Sequence, residues 1–325
     1  MSVSDGRFGI GIDLGGTTFG IGFFDATGAL VDRASYATPK TEDANAIADV
    51  LARASREQAS GIGGLDNVVG LAVGFPGPVD PEAGVVKKAP NVHCLAGYPL
   101  TSALQGRLGI AGVHLQNDAY CATLAELRWG AGKDVENLLM FTLGTGVGGG
   151  VAMANRVIRG PRQILGEVGH IIVDPEGRTC GCGSVGCLEA MAARDGIVDM
   201  AARVMQSGRK TVLSELVGSD QTRLSPQIVT QACRQGDKAA IEIYERVGFL
   251  LGVALCNCIV LCDPDLVVIG GGIAAAGDYI FEPLKRTVAA RSLISGFDVE
   301  NIVAAQFGND AGIYGAGALA WELAV

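Results

Sequence analysis

The chain has little of several features that define common protein classes. Only 6 % of its 325 residues are aromatic and 18 % are charged. No apolar run reaches the roughly 20 residues that a membrane-spanning helix needs. The longest, Val247–Cys262, contains Asn257 and ends at Asp263, so we interpret it as a buried helix. The short polar start, Met1 to Arg7, predicts no signal peptide. We therefore expect a cytoplasmic protein without a membrane partner.

Positive charge is also scarce, with 25 Lys and Arg against 34 Asp and Glu, a net charge of −9. An acidic surface is a poor electrostatic match for nucleic acid, so we expect no nucleic-acid partner. Hydrophobic residues make up 49 % of the chain, enough for packed cores. The length predicts about two domains of ~150 residues each. The 48 glycines, without a Gly-X-Y period, suggest tight turns and close approach of backbone to ligands.

Nine cysteines occur without a secretory context, which argues against disulfides. Three of them lie close together and are treated below. The other six are scattered and are interpreted as small apolar core residues: Cys94, Cys121, Cys233, Cys256, Cys258 and Cys262.

Hydrophobic periodicity predicts an α/β chain in which one pattern, strand, glycine turn, strand, occurs twice. The first series has strands at Phe8–Leu14, Phe19–Phe24, Leu30–Ala37, Val68–Val73 and Val113–Gln116, and helices at Glu42–Ser60 and Ala119–Trp129. The second has strands at Leu138–Leu143, Val151–Ile158 and Leu266–Ile269, and helices at Asp195–Met205, Ser225–Arg234, Lys238–Leu261 and Ala311–Leu323. We place the boundary near Asp118.

Two glycine loops could hold phosphate. The first runs Asp13-Leu14-Gly15-Gly16-Thr17-Thr18, and the second runs from Thr142 to Gly149. Backbone N–H groups and Thr hydroxyls in such turns can form an anion-binding concavity. Asp13 beside the first loop could hold a water on Mg²⁺. Each loop alone is equally consistent with an ordinary hairpin, because glycine turns are common.

Two other nucleotide motifs are excluded. No G-x-x-x-x-G-K-[ST] loop occurs, which removes the P-loop enzymes. Gly144, Gly146 and Gly149 formally match G-x-G-x-x-G. The dinucleotide fingerprint must open a helix, however, and the segment that follows is predicted as a strand.

The clustered cysteines form the pattern H-x9-C-x-C-x4-C, made by His170, Cys180, Cys182 and Cys187. Four such ligands on a glycine-rich loop suit tetrahedral zinc, and a closed four-ligand site would be structural. The zinc would hold the loop that carries Glu189, and the second ring nitrogen of His170 could face a ligand. Reduced buried thiols or a catalytic cysteine nucleophile are the alternatives.

Taken together, these segments resemble the ROK group (repressors, open reading frames and kinases) of the actin-like ATPase superfamily. The resemblance extends along the chain and rests most specifically on G-E-x-G-H and C-x-C-G-x-x-G-C-x-E. The matching segments are Asp13–Thr18, Gly74–Gly77, Asn117-Asp118, Leu143–Gly149, Gly166–His170, Cys180–Glu189, Gly270–Ile273 and Ala311–Ala320.

This resemblance implies two α/β domains of the actin-like ATPase (ribonuclease H-like) kind around a central cleft. Residues 1–118 and the C-terminal helix, 311–325, would form the small domain. Residues 119–310 would form the large domain, which carries the zinc loop.

The resemblance also implies which residues act. Asp118 would be the catalytic base, although Asn117-Asp118 equally has the signature of a helix N-cap. The sugar would contact Gly77, Asn91, Asn117, Asp118, Glu167, His170 and Glu189. ATP with Mg²⁺ would contact Asp13, Gly15, Gly16, Thr17, Thr18, Thr142, Gly144, Thr145, Gly146, Gly270, Gly271 and Gly272. Structural zinc would bind His170, Cys180, Cys182 and Cys187.

The activity implied is ATP-dependent phosphorylation of a hexose at its 6-hydroxyl, with glucose favoured. N-acetylmannosamine, N-acetylglucosamine or fructose are the alternative substrates. A sugar-responsive transcriptional repressor is disfavoured because no DNA-binding helix-turn-helix precedes Asp13. The family implies a homodimer or homotetramer. The chain departs from the family pattern at Val92–Leu95 and Ala190–Ala193, which leaves the preferred sugar open.

Overall fold

The computed structural model describes residues 6–89, 91–294 and 296–324. Most of the polar start and Pro90 of the Ala89-Pro90-Asn91 segment therefore lie outside the described residues. The chain divides into two compact units. Unit 1 comprises residues 1–133 and 309–325, and unit 2 comprises residues 134–308.

Unit 1 is built on a five-stranded sheet of order β3-β2-β1-β4-β7, in which β1, β4 and β7 are parallel. Its strands are β1 (Phe8–Leu14), β2 (Thr18–Phe24), β3 (Leu30–Ala37), β4 (Val68–Phe75), β5 (Val79–Asp80), β6 (Val85–Val86) and β7 (Val113–Asn117). Its helices are α1 (Ala44–Ser60), α2 (Leu100–Leu108), α3 (Asp118–Trp129) and the C-terminal α10 (Ala311–Glu322).

The local sequence explains these elements. α1 begins after Asp43, whose carboxylate accepts the Asn45 N–H at 2.9 Å. Its buried residues, such as Ile47 and Leu51, recur at helical spacing and pack in the same core as Ile10 of β1. α1 and α2 contact each other, whereas α10 contacts β1, β4 and α3. Apolar side chains of the central strands are thereby removed from water.

Unit 2 repeats this arrangement with a sheet of order β10-β9-β8-β11-β12, in which β8, β11 and β12 are parallel. Its strands are β8 (Leu138–Leu143), β9 (Val147–Met153), β10 (Arg156–Ile158), β11 (Leu266–Gly270) and β12 (Ile302–Ala304). Its helices are α4 (Leu188–Ala192), α5 (Arg194–Gln206), α6 (Leu213–Val217), α7 (Pro226–Arg234), α8 (Lys238–Cys262) and α9 (Asp278–Arg291).

The α/β class predicted from the sequence is confirmed, with three local differences. The single strand expected at Val151–Ile158 is wrong, because Ala154 and Asn155 have positive φ and turn the chain between β9 and β10. Helices α2, α4, α6 and α9 and strands β5, β6 and β12 were not predicted. The division between units also follows α3 instead of preceding it at Asp118, since α3 packs against α10.

Helix α8 is the one described helix long and apolar enough to cross a membrane. Half of its most apolar stretch is buried within unit 2, against core residues such as Leu139 and Ile269. The core helix of a soluble protein can be equally long and apolar, so length and composition alone do not identify a membrane span.

The contact between α3 and α10 generates a stability prediction. A Cβ on Gly315 would overlap the carbonyl oxygen of Cys121, whereas a Cβ on Gly106 of α2 would meet no atom within 4 Å. We expect Gly315→Ala to lower the free energy of unfolding by about 1–3 kcal/mol, because the added methyl group overpacks the contact between α3 and α10. Gly106→Ala should raise it by about 0.5–1 kcal/mol, because alanine is favoured inside helices. Urea unfolding of both variants tests this, and equal effects would refute the close packing.

Candidate functional site

The first glycine loop of unit 1 is a hairpin turn between β1 and β2. The Gly15 N–H donates to the Thr18 carbonyl at 3.0 Å. Thr38, at the end of β3, fixes the loop from the side. Its N–H donates to the Thr17 carbonyl at 2.9 Å and its hydroxyl to the Gly15 carbonyl at 2.7 Å. The turn is therefore held in place by the neighbouring strand.

The carboxyl ends of the parallel strands bring several predicted residues to one edge of this sheet. Asp13 of β1 is in register with Gly74 of β4, and Phe75 of β4 with Asn117 of β7. The Asn117 amide donates to the Gly77 carbonyl at 3.2 Å. Ligands commonly bind at this edge of open α/β sheets. Asp13, Gly77, Asn117 and the adjoining Asp118 thus share one edge.

Asn117 and Asp118 form the N-terminus of α3. The Asn117 side-chain oxygen accepts the Ala119 N–H at 2.9 Å and the Tyr120 N–H at 3.3 Å. Asp118 Oδ1 also accepts the Ala119 N–H, at 2.9 Å. The helix-cap interpretation is therefore confirmed.

Three carboxylates interact electrostatically in unit 1. Burial raises the pKa of Asp13 to about 6, and the negative charges of Asp118 and Asp310 act in the same direction. Asp310 was missed by the sequence analysis, although it stands directly before the predicted C-terminal helix. Arg33 donates to both of its oxygens at 2.6 Å. The Arg33 guanidinium therefore offsets part of the negative charge that acts on Asp13.

Asn91 lies against the first glycine loop, since a Cβ on Gly16 would be 2.6 Å from the Asn91 Cβ. A cavity of about 370 Å³ opens beside them. It is lined by Gly16, Pro39, Lys40, Thr41, Glu42, Asn91, Val92 and His93. The unusual segment after Asn91 forms a 3₁₀ turn, His93–Leu95, whose Leu95 is buried in the core of unit 1.

The second glycine loop lies in unit 2 and joins β8 to β9. The Gly144 N–H donates to the Gly146 carbonyl at 2.9 Å, closing a hairpin. Since a strand follows, the exclusion of the dinucleotide fingerprint is confirmed. The Gly270–Gly272 turn comes to the same edge, because β11 runs parallel to β8 with Gly270 opposite Thr142. The Ile273 N–H then donates to the Leu143 carbonyl at 3.0 Å.

Glu189 of α4 contacts this second loop directly. Its Oε2 accepts the Val147 N–H at 3.1 Å. A Cβ on Gly146 would overlap the same oxygen, so a side chain there would displace the Glu189 carboxylate. Glu167 and His170 are exposed near the two ends of the 3₁₀ turn Val168–His170. Glu189 is thus a structural contact of the loop as well as a candidate sugar ligand.

The four predicted zinc ligands come together. Their donor atoms all lie within 4.8 Å of one another, with His170 Nδ1 3.8 Å from Cys180 Sγ and Cys182 Sγ 3.7 Å from Cys187 Sγ. Sulfur atoms held at ~2.3 Å from a tetrahedral zinc are about 3.8 Å apart. A β-bridge between Ile172 and Cys187 aligns the two parts of the segment.

The chemistry of these donors also fits a cation. Burial raises the pKa of Cys187 to about 11 and raises that of Cys180, whereas the Ser184 N–H lowers the pKa of Cys182. Buried thiolates need a positive charge nearby to remain ionised. The Cys180 thiol also donates to Glu189 Oε1 at 3.8 Å. One carboxylate therefore connects the cysteine cluster with the second glycine loop.

Comparisons with known proteins agree with this arrangement. The chain is 34 % identical over 313 residues to a glucokinase of Thermotoga maritima, covering 96 % of this chain and 97 % of that protein. A ROK hexokinase structure from Thermus thermophilus superposes with a TM-score of 0.83 at 32 % identity, covering 97 % and 98 % of the two chains.

A ROK glucokinase from Streptomyces griseus, solved in complex with glucose and AMPPNP, superposes with a TM-score of 0.80 at 31 % identity. The match covers 97 % of this chain and 99 % of that one. These likenesses show the actin-like ATPase fold. The model of the ROK family matches residues 9–322, and the chain therefore belongs to the ROK family.

Proposed function

We propose that the chain is an ATP-dependent hexose kinase that phosphorylates the sugar 6-hydroxyl, with glucose as substrate and glucose 6-phosphate as product. The observation that carries this proposal is the placement of Asp118 on the same sheet edge as Asp13, in a chain that resembles glucokinases over its whole length. Phosphoryl transfer to an alcohol needs a base for the hydroxyl proton and a cation that neutralises phosphate charge. Asp118 is the candidate base, and Asp13 is the candidate carboxylate for the cation.

Asp118 is the proposed base. Its carboxylate takes the proton of the sugar 6-hydroxyl as that oxygen attacks the γ-phosphorus, and ADP leaves with the bonding electrons. The N-terminus of α3 keeps the carboxylate oriented through the Ala119 N–H. Because phosphoryl transfer needs positioning more than covalent help, this fixed orientation is the main contribution of α3.

The two glycine loops are the proposed phosphate contacts. In each, backbone N–H groups and Thr hydroxyls are available to phosphate oxygens, as in other anion-binding turns. Mg²⁺, when bound, would neutralise phosphate charge. Asp13 would hold a water of its coordination shell, which requires the Asp13 carboxylate to be ionised. The pKa of about 6 makes this condition dependent on pH.

Glu167, His170 and Glu189 are proposed to bind sugar hydroxyls, because carboxylates and imidazole can each accept an O–H. We also propose that the cysteine cluster holds one zinc ion, which would fix the orientation of His170. With zinc bound, Cys180 is a thiolate that no longer donates to Glu189, and the Glu189 carboxylate keeps the hydrogen bond from the Val147 N–H of the second glycine loop. Nine free cysteines are consistent with a reducing, cytoplasmic location.

Asp118→Asn tests the proposed base. The amide cannot accept the proton, so turnover should fall by at least about 100-fold, whereas sugar binding measured by calorimetry should survive. Coupled ADP release is assayed over a panel of glucose, fructose, N-acetylmannosamine and N-acetylglucosamine. Asp66→Asn, at an exposed position, is the control. Near-normal turnover in Asp118→Asn would contradict the role of Asp118 as base. If the unaltered protein released no ADP with any of these sugars, the proposed hexose kinase activity would be wrong.

Cys182→Ser tests the zinc proposal. We expect about one zinc per chain by elemental analysis of the unaltered protein, and loss of that zinc in the variant because one of four ligands is gone. Cys262→Ser, at the end of α8, leaves the cluster intact and should retain the metal. A metal-free protein with full activity would refute the zinc site.

Asp13→Asn should make the protein more stable and less active. The folded-state pKa of Asp13 is about 6, above its ordinary value of 3.8. The folded protein therefore holds this proton more tightly, and its stability falls as pH rises from about 4 to about 6. At pH 7.5 the neutral amide should raise the free energy of unfolding by up to about 3 kcal/mol, and turnover should fall.

The stabilisation should shrink when denaturation is repeated near pH 5, because Asp13 itself then becomes largely neutral. Asp66→Asn, at an exposed position, serves as the control for loss of one negative charge. A stabilisation that does not change between the two pH values would exclude Asp13 as its source.

A further inference from the structure

The cavity beside the first glycine loop is bounded by three segments of unit 1. Gly16 belongs to the glycine loop itself, residues 39–42 join β3 to α1, and residues 91–93 close the cavity from another side. Thr38 ties the first two segments together, because it donates hydrogen bonds to two carbonyl groups of the glycine loop. The wall formed by residues 39–42 is therefore fixed relative to the loop that is proposed to hold phosphate.

Most polar groups that line this cavity can donate a hydrogen bond. Lys40 offers an ammonium group, which only donates, and Asn91 offers an amide. The Thr41 oxygen already accepts the Asp43 N–H at 3.1 Å, so its hydroxyl hydrogen is available to a ligand. Among the described lining residues Glu42 is the one carboxylate. A set of donors that includes a formal positive charge is suited to an anion.

The ammonium group of Lys40 is available to such an anion. Lys40 is exposed, and in the described part of the chain it forms no ion pair, not even with Glu42 two positions away. Many other basic side chains of unit 1 are already paired with carboxylates. They are Arg33, Arg53, Lys87, Arg107 and Arg128.

Positive charge is needed near this glycine loop. The negative charges of Asp118 and Asp310 both act on Asp13, and Arg33 pairs only with Asp310. The loop itself offers N–H groups and Thr hydroxyls, which carry partial charges. Enzymes that transfer the terminal phosphate of ATP commonly add a lysine to the bound Mg²⁺. No P-loop lysine occurs in this chain, so the lysine must come from another segment.

We propose that Lys40 binds the terminal phosphate of the nucleoside triphosphate at the first glycine loop. This inference rests on the proposed kinase function and adds one residue to it. Lysine carries its charge on a flexible stem of four carbons, so the ammonium group can turn from the cavity toward Gly16. It then donates a charge-assisted hydrogen bond to a phosphate oxygen.

The position of the cavity indicates which phosphate is bound. The cavity borders Asn91, a proposed sugar contact, as well as the glycine loop. The phosphate nearest the sugar is the one that is transferred, and it is the phosphate that ADP lacks. Lys40 should therefore distinguish a nucleoside triphosphate from a diphosphate. It was missed by the sequence analysis because it lies outside both glycine loops and outside the motifs.

Titration calorimetry with AMPPNP and with ADP tests this contact. Both nucleotides are titrated with Mg²⁺ at physiological ionic strength, where charges more than about 8 Å apart are largely screened. Lys40→Met should weaken AMPPNP binding at least about tenfold, because a charge-assisted hydrogen bond is lost. ADP binding should stay nearly unchanged. Lys40→Arg keeps the charge and should retain most of the AMPPNP affinity.

Two further variants complete the experiment. Lys210→Met removes a positive charge from an exposed position of unit 2 and should leave both affinities unchanged. Glu42→Gln removes the opposing charge from the cavity and should strengthen AMPPNP binding. In steady-state assays Lys40→Met should lower kcat/KM for ATP at least about tenfold and leave the KM for glucose unchanged.

Three results would overturn the assignment of Lys40. One is an equal loss of AMPPNP and ADP affinity in Lys40→Met, or no loss of either. Another is weaker AMPPNP binding in Glu42→Gln, which would show that the cavity does not take an anion. The third is a raised KM for glucose with unchanged AMPPNP affinity, which would assign Lys40 to the sugar.

The proposed kinase function is judged separately from Lys40. If the unaltered protein releases ADP with a hexose and Lys40→Met is equally active, the inference about Lys40 alone is wrong. If the unaltered protein binds neither nucleotide, the proposed function is wrong and the inference falls with it.

Discussion

The close packing of α10 on the sheet of unit 1 is the constraint on which the proposed catalytic edge depends. This helix, rich in Gly and Ala, approaches β1 and α3 closely enough that a single added methyl group at Gly315 would meet backbone. Asp310, the N-cap residue of this helix, thereby lies where its charge acts on Asp13, and Arg33 of β3 fixes the Asp310 carboxylate. The packing of an element at the end of the chain thus influences the pKa of a side chain near its beginning.

That arrangement stores unfavourable energy at the edge where the proposed chemistry occurs. A buried carboxylate beside two others is costly while it remains ionised, and a bound cation would remove the cost. Proteins tolerate such local destabilisation at functional sites when the surrounding structure holds the groups in place. Here the surrounding structure is the hairpin turn tied by Thr38, the cap of α3 and the Arg33–Asp310 pair.

In unit 2 the glycine loop is held in place by a different contact. Glu189 accepts a hydrogen bond from the second glycine loop and also contacts Cys180 of the cysteine cluster. One carboxylate therefore lies between the loop and the cluster.

The sequence by itself determined the features that depend on neighbouring residues. Two glycine hairpins, the cap at Asn117 and the cysteine cluster could be predicted because the residues of each lie within a short segment. Helix α9 was missed because Pro283 lies inside it and weakens its helical signal. Only the tertiary structure decided that Asp310 pairs with Arg33, 277 residues away, and that Glu189 contacts Val147. These contacts depend on how helices and strands pack, and spacing along the chain carries no record of which distant residues that packing brings together.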